Sequence, residues 1–250
     1  MNILLTNDDG IYAPGIYAAY RELIKVGTVI VVAPDSEKSS VGHGITLAHP
    51  VRCKKVQRKK KFFGYGVSGT PADCVKFAVD VILKGKPDFV VSGINQGPNE
   101  GCSVHYSGTV AGAREGALMG IPSVAASLDS FEKAEFEYAA KCIVKLLKFV
   151  GKHPLPDGTF LNLNVPCAPR DEIMGMRFTR QCLEPIHGTF KKCKDPNLKE
   201  YFWLTGKMAY RSRDNDIDTY ALNNKHVTVT PVRCDSTDHD FYEQVQSLKL

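Results

Sequence analysis

Residues 1–16 read MNILLTNDDGIYAPGI. Asn2–Thr6 is a short apolar run that reads as a buried strand. Pro14–Val26 follows as a helix, with the proline in the first turn, where a missing N–H leaves no helical bond unmade. Thr28–Ala33 (TVIVVA) is a second continuous apolar run. Two such strands separated by one helix predict a parallel sheet covered on both faces, because a strand buried on both sides has no polar face to alternate with. Between the first strand and its helix stand Asp8 and Asp9, directly before Gly10. Neighbouring carboxylates repel by about 1 kcal/mol in water and severalfold more when partly buried, so the pair is comfortable as a cation site or with one member protonated or solvated.

The same pattern continues along the chain. Thr70-Pro-Ala-Asp73 is a helix start, with Thr as cap, Pro at the first position and Asp in the first turn. Val75, Ala78, Val79 and Ile82 follow at helical spacing, with Gly85 near the end. Pro87–Ser92 reads as a strand, and Gly93–Gly101 as a glycine-rich loop. A small-residue helix runs from about Thr109 to Met119, then a strand at Pro122–Ser127 and an amphipathic helix over about Phe131–Val150. A βαβ alternation held over roughly 150 residues predicts an α/β fold with a Rossmann-like, doubly wound, mostly parallel sheet. Gly44–Ser68 is more polar and predicts a flanking hairpin, with the basic run Lys54–Lys61 at its solvated tip. After Gly151, Phe160–Val165 adds a core strand. Gly175–Thr179, a lysine-rich stretch at Lys191–Lys199, Tyr201–Leu204 and a late strand at His226–Thr230 then precede a polar tail. We read residues 1–250 as a single domain. About 1–165 form the α/β core, and about 166–250 form an arm of hairpins and a tail suited to oligomer contacts.

Composition narrows the function. The 250 residues are 43% hydrophobic and 24% charged, as in ordinary soluble proteins. The apolar runs are strand-sized, well short of a membrane span, and the first residues read as a strand instead of a leader, which predicts an unprocessed cytoplasmic protein. Eight cysteines without a C-x-x-C pair read as reduced thiols. A net charge of +5 suits anionic small molecules. The basic run lacks interleaved aromatics, so no specific nucleic acid is expected. The first βα turn lacks G-x-G-x-x-G, which argues against a dinucleotide.

Ligands of open parallel sheets bind beyond the carboxyl ends of the strands. That edge collects Asn7, Asp8, Asp9 and Gly10, then Asp35 through Ser39 and Ser40, then Asn95, Gln96 and Asn99, and finally Tyr106-Ser107-Gly108-Thr109 at a helix entry. A lone Asp at a strand end is ordinarily a helix cap. A pair joined by Ser39 and Asn95 on one edge instead predicts a hard, oxygen-only cation site, suited to Mg²⁺, Mn²⁺ or Ca²⁺. Ser107-Gly108-Thr109 offers backbone N–H groups, hydroxyls and the positive end of a helix dipole. On the residues alone, a plain N-cap and a phosphate site stand equally open there. An anion site beside a cation predicts a phosphate ester, with Asn7, Asn95, Asn99, Ser107, Gly108 and Thr109 on the phosphate side and Asp8 and Asp9 carrying metal-assisted hydrolysis. Of the histidines near candidate loops (His43, His105, His239), His239 lies in Asp235-Ser-Thr-Asp-His239. A general acid for the leaving alcohol fits there, which adds Asp235 and His239 to the catalytic candidates.

The stretches ILLTNDDGIYAPGI, VVAPDSEKSSVGHGITL, GTPADCVK, PDFVVSGINQGPN and YSGTVAGAREGALMGIPSVAAS resemble, in order, the SurE family of stationary-phase survival proteins. The resemblance implies a metal-dependent 5′/3′-nucleotidase acting on nucleoside monophosphates and on some short polyphosphate. It implies one Mg²⁺ or Mn²⁺ per subunit on Asp8, Asp9, Ser39 and Asn95, phosphate at Ser107-Gly108-Thr109, and a homodimer or tetramer joined through the C-terminal arm. Asp235 and His239 match the family weakly. Ser40 stands where the family commonly has Gly or Ala. Two rival readings are a non-catalytic nucleotide-binding regulatory module and a phosphatase with an aspartyl nucleophile, whose signature is usually D-x-D instead of the adjacent pair seen here.

Overall fold

A computed structural model of the chain describes residues 1–132, 135–185, 188–206 and 211–248. In chain order its elements are β1 (Asn2–Thr6), α1 (Pro14–Leu23), β2 (Thr28–Pro34), β3 (Cys53–Arg58), β4 (Lys61–Val67), α2 (Pro71–Phe77), β5 (Phe89–Gln96), α3 (Gly108–Leu118), β6 (Ser123–Asp129), α4 (Glu137–Val150), β7 (Thr159–Pro166), β8 (Met176–Phe178), β9 (Thr189–Lys194), β10 (Glu200–Thr205), α5 (Asp218–Asn223), β11 (Val227–Arg233) and α6 (His239–Val245).

Nine strands form one sheet in the order β3-β4-β2-β1-β5-β6-β7-β11-β8. The six from β4 to β7 run parallel. β3 returns antiparallel on β4, and β11 lies antiparallel on β7 with β8 parallel to β11. β9 and β10 pair as a separate hairpin. This is the doubly wound, mostly parallel sheet expected. Alternation along each strand explains its two-sided burial. Ile3 and Leu5 of β1 face α1 and α4, where Ile16, Leu23, Ile143 and Leu147 pack, whereas Leu4 faces α2 with Val75 and Val79. Val110 and Ala113 of α3 pack on Ala125 and Phe160 on that same side.

The small residues of α3 have a specific consequence. A Cβ at Gly112 would stand 2.6 Å from Ser92 Oγ, and one at Gly116 would stand 2.3 Å from Ser123 Oγ. With hydrogen there instead, the helix lies directly on β5 and β6, and its first turn reaches the end of β1.

Local signals act as the residues dictate. Thr70 and Asp73 form a capping box at α2. Lys59 and Lys60 occupy left-handed conformations (φ 50° and 60°) at the tip of the β3–β4 hairpin; the rest of the basic run expected at that tip lies on the strands, with Lys54, Lys55 and Arg58 on β3 and Lys61 opening β4. Some boundaries differ from expectation. The helix beginning at Pro71 closes through a π-helical stretch, Ala78–Leu83, on a left-handed Lys84, one residue before Gly85. α4 starts at Glu137, and the expected start at Phe131 overlaps residues 133 and 134, which lie outside the described set. The polar tail forms α6, capped by Asp238. No side chain of α6 is buried, so no apolar periodicity announces it.

Candidate functional site

The chain leaves β1 toward β2 on one side and later returns to β5 on the other, so the order reverses between β1 and β5. A crevice is expected at the carboxyl edge of such a switch point. A cleft of about 1210 Å³ opens there, lined by Asp8, Asp9, Ser39, Asn95, Ser107 and Phe131 among others.

Asp8 is only 4% exposed. Its carboxylate rests on the first turn of α3, where Oδ1 accepts from the Thr109 hydroxyl and the Thr109 backbone N–H also bonds the group. Gly108 makes this seat possible, since a Cβ there would lie 2.8 Å from Asp8 Cβ and 2.9 Å from its Oδ2. Burial pushes the Asp8 carboxyl above its ordinary range, and the Thr109 bonds only partly oppose it. Asp9 is half-buried, and its Oδ2 accepts from the Gln96 N–H at 3.3 Å. Burial first, and then the adjacent Asp8, raise its pKa to about 6. Glu37 adds a third negative charge that raises both.

The two neutral oxygens arrive from β2 and β5. Ser39 Oγ donates to Glu37 Oε1 at 2.7 Å. The β5–β6 register shifts between Ser92 and Asn95, a bulge that re-aims the strand end. Gly93 sits in it at φ 136°, where a Cβ would lie 2.2 Å from the Ala126 carbonyl oxygen. Asn95 Nδ2 then donates to the Gly97 carbonyl at 2.8 Å, so the ligand atom this amide offers is Oδ1. Among the described residues no three His, Cys, Asp or Glu side chains gather as a metal site. The donor set is therefore two carboxylates with a hydroxyl and an amide oxygen, all hard. Such donors, with both carboxyls raised first by burial and Asp9 also by the charge of Asp8, fit Mg²⁺ or Mn²⁺, whose positive charge favours the ionised pair.

Asp8, Asp9, Ser39, Asn95, Asn99 and Ser107 all line the cleft. Other expectations need correction. Asn7 is fully buried, and its Nδ2 donates to the Gly10 carbonyl at 3.0 Å, so it serves the turn instead of the phosphate. Thr109 is likewise buried and engaged with Asp8. Asn99 has its amide nitrogen committed to Ser127 Oγ and its backbone to Asn162 and Asn164. Asp235 and His239 are paired at 2.6 Å but exposed, and within this chain they are not brought to the cleft. β11 runs antiparallel to β7 and ends opposite Thr159, so the segment beyond it lies at the amino edge of the parallel strands, away from the site.

Glu37, Gln96 and Tyr106, which the strand-end reading placed at this edge without a role, also line the cleft. The apolar wall of Phe131, Phe136, Phe190 and Leu204 is what the sequence reading missed. Phe131 follows β6, and the strand-end rule that found Asn95 would have found it too. Phe190 and Leu204 come from the β9–β10 hairpin, whose placement no local signal announces. Ser40 adopts a left-handed φ of 58°, which explains why a glycine suits that position.

Fold and crevice define a doubly wound α/β protein built to hold a hard cation beside an anionic ligand. The sequence model for the family "Survival protein SurE" matches residues 3–187. A "5′-nucleotidase SurE" of Syntrophobacter fumaroxidans is 46% identical over 248 residues, 99% of this chain and 98% of that protein. One from Thermosipho melanesiensis is 45% identical over 246 residues, 98% of this chain and 96% of that protein. The crystal structure of the SurE protein from Aquifex aeolicus superposes with a TM-score of 0.86 at 40% identity, covering 98% of each chain. The chain belongs to the SurE family.

The raised Asp9 carboxyl has a thermodynamic sign. It binds its proton more tightly in the folded than in the unfolded chain, so metal-free protein loses stability as pH rises from about 4 through about 6. In a chelator-treated thermal melt at pH 7.5, Asp9→Asn is expected to unfold at a higher temperature than the parent, with the gap closing towards pH 4. A parent as stable as the variant at pH 7.5 would show that the pair is not strained.

Proposed function

We propose that the chain is a divalent-metal-dependent phosphatase of nucleoside monophosphates, a 5′-nucleotidase that also accepts 3′-nucleotides and short polyphosphate. The observation that carries this reading is the raised carboxylate pair at the end of β1, set against the first turn of α3 in a cleft with an apolar far wall. Asp8, Asp9, Ser39 and Asn95 would hold one Mg²⁺ or Mn²⁺ per subunit. When bound, the cation supplies positive charge that offsets the phosphoryl oxygens and makes an attacking water more acidic.

The protein's own residues supply the rest. Ser107 and the start of α3 at Gly108 present the positive end of the helix to the phosphate, and Asn95 and Asn99 border it. Asp9, more exposed than Asp8, faces the cleft beside the proposed cation, where its carboxylate would help orient the attacking water. Phe131, Phe190 and Leu204 offer the nucleoside an apolar surface across from this polar floor. Asp8 is buried and held by Thr109, a poor arrangement for an aspartyl nucleophile that must reach phosphorus.

We read the whole chain as one functional domain, working in the cytoplasm and assembling as a homodimer or tetramer. The β9–β10 hairpin supports the assembly, because Phe202, Trp203 and Leu204 are all more than half exposed, as at a surface awaiting a partner. Among the described residues no helix is long and apolar enough to cross a membrane.

A panel of nucleoside monophosphates, incubated with metal-stripped protein and each cation in turn, tests the activity. Phosphate release is expected with Mg²⁺ or Mn²⁺ and should fall to background in Asp9→Asn. Release in no condition would leave only a nucleotide binder, and an acyl-phosphate trapped during turnover would favour the aspartyl route. Phe190→Ala should raise KM for nucleotides while leaving KM for inorganic tripolyphosphate unchanged. An equal rise for both would remove the nucleoside from that wall.

A further inference from the structure

Ser39 sits in the longest connection of the core, from Asp35 to Arg52 between β2 and β3. This stretch has neither helix nor strand. No ladder fixes its path, and ordering a free backbone costs about 1–2 kcal/mol per residue. Discrete ties hold it instead. The Lys38 N–H donates to the Asp8 carbonyl at 2.8 Å, and the Gly42 N–H to the Tyr106 carbonyl at 2.9 Å. The Thr46 N–H and hydroxyl both donate to Asp73. Between these ties, His43 Nε2 meets Glu115 Oε2 at 2.9 Å.

Glu115 has no role in the proposed chemistry, yet it is a carboxylate with a side chain only 7% exposed. Its second oxygen receives Lys76 Nζ of α2 at 3.1 Å. Burial alone would raise its carboxyl, but the bonds from His43 and Lys76 together hold it below its usual range. Glu115 also lies on α3, the helix whose first turn seats Asp8 through Thr109. One rigid helix thus carries the support of one cation ligand and the anchor of the segment that delivers another. Among the described residues, the cleft lining includes none of His43, Lys76 and Glu115.

We propose that His43, tied to α3 by the Glu115–Lys76 pair, is a positioning residue that holds the Ser39 segment in register over the cation site. A serine hydroxyl is a neutral, weak ligand. Its contribution depends on being held in place before the ion arrives, and supports of that kind typically change metal affinity by about 10- to 100-fold. The proposal rests on the metal reading above, and the test separates the two.

The test is Mn²⁺ binding to metal-stripped full-length protein, read by electron paramagnetic resonance of the free ion, for the parent, Ser39→Ala, His43→Ala and His43→Gln. Melting curves and nucleotide turnover are recorded alongside. His43→Ala is expected to weaken Mn²⁺ binding by about tenfold, to approach the affinity of Ser39→Ala, and to recover most of the parent kcat at saturating Mn²⁺. His43→Gln, whose amide still donates to Glu115, should restore binding to within about twofold of the parent. If His43→Ala does not fold, His43→Asn, too short to reach Glu115, takes its place with the same expectation. A parent that binds Mn²⁺ while the shortened variants bind it equally well overturns the positioning role. So does failure of His43→Gln to restore binding. A parent that binds no Mn²⁺ overturns the metal reading itself.

Discussion

The site depends on one contact, the buried carboxylate of Asp8 against the first turn of α3. A charged group with almost no exposure is costly unless donors surround it. Here Thr109 provides a hydroxyl and a backbone N–H, and the helix terminus adds its partial positive charge. The contact exists because α3 lies directly on the sheet, and glycines make room for that approach. Gly112 and Gly116 let the helix axis approach Ser92 and Ser123, and Gly108 leaves room for the carboxylate itself. With Asp8 committed inward, Asp9 takes the adjacent position facing the cleft, raised by burial and by its neighbour. Under the proposed function, a divalent cation would relieve the strain of that arrangement.

From this centre the cleft divides by chemistry. Its floor gathers oxygen donors from three strand ends and the entry of α3, and its far side is built of Phe131, Phe190 and Leu204. A phosphate ester of an aromatic nucleoside matches both halves. The polar floor alone would serve any phosphate, so we assign substrate preference to the wall and to the hairpin that supplies part of it. Under the proposed function, hydrolysis is the task of the pair at β1.

Much of this was legible in the residues. Strands buried on both faces leave continuous apolar runs, and the stretch between β1 and β2 is long enough for the helical crossover that parallel neighbours require. Thr70-Pro-Ala-Asp73 announced α2 through its own hydrogen bonds. Asp8, Asp9, Ser39 and Asn95 could be gathered without coordinates because strand ends of a parallel sheet share one edge. That rule does not extend past β11, where the strand direction reverses. Asp235 and His239 follow β11, which runs against its neighbour β7, and a strand's direction leaves no mark in its composition. Thr109 shows a different limit. Its segment was read as facing a phosphate, but a helix start can turn its donors toward the protein as well as toward a ligand, and only packing decides. The left-handed Ser40 and the hairpin wall likewise depend on contacts distant in sequence.

The most direct measurement is an anomalous difference map from crystals of this protein grown with Mn²⁺. The account predicts a single peak per chain within about 2.0–2.3 Å of carboxylate oxygens from both Asp8 and Asp9, with Ser39 and Asn95 oxygens completing the contacts. A map in which the two acids diverge around empty space, or in which manganese settles elsewhere, would contradict it.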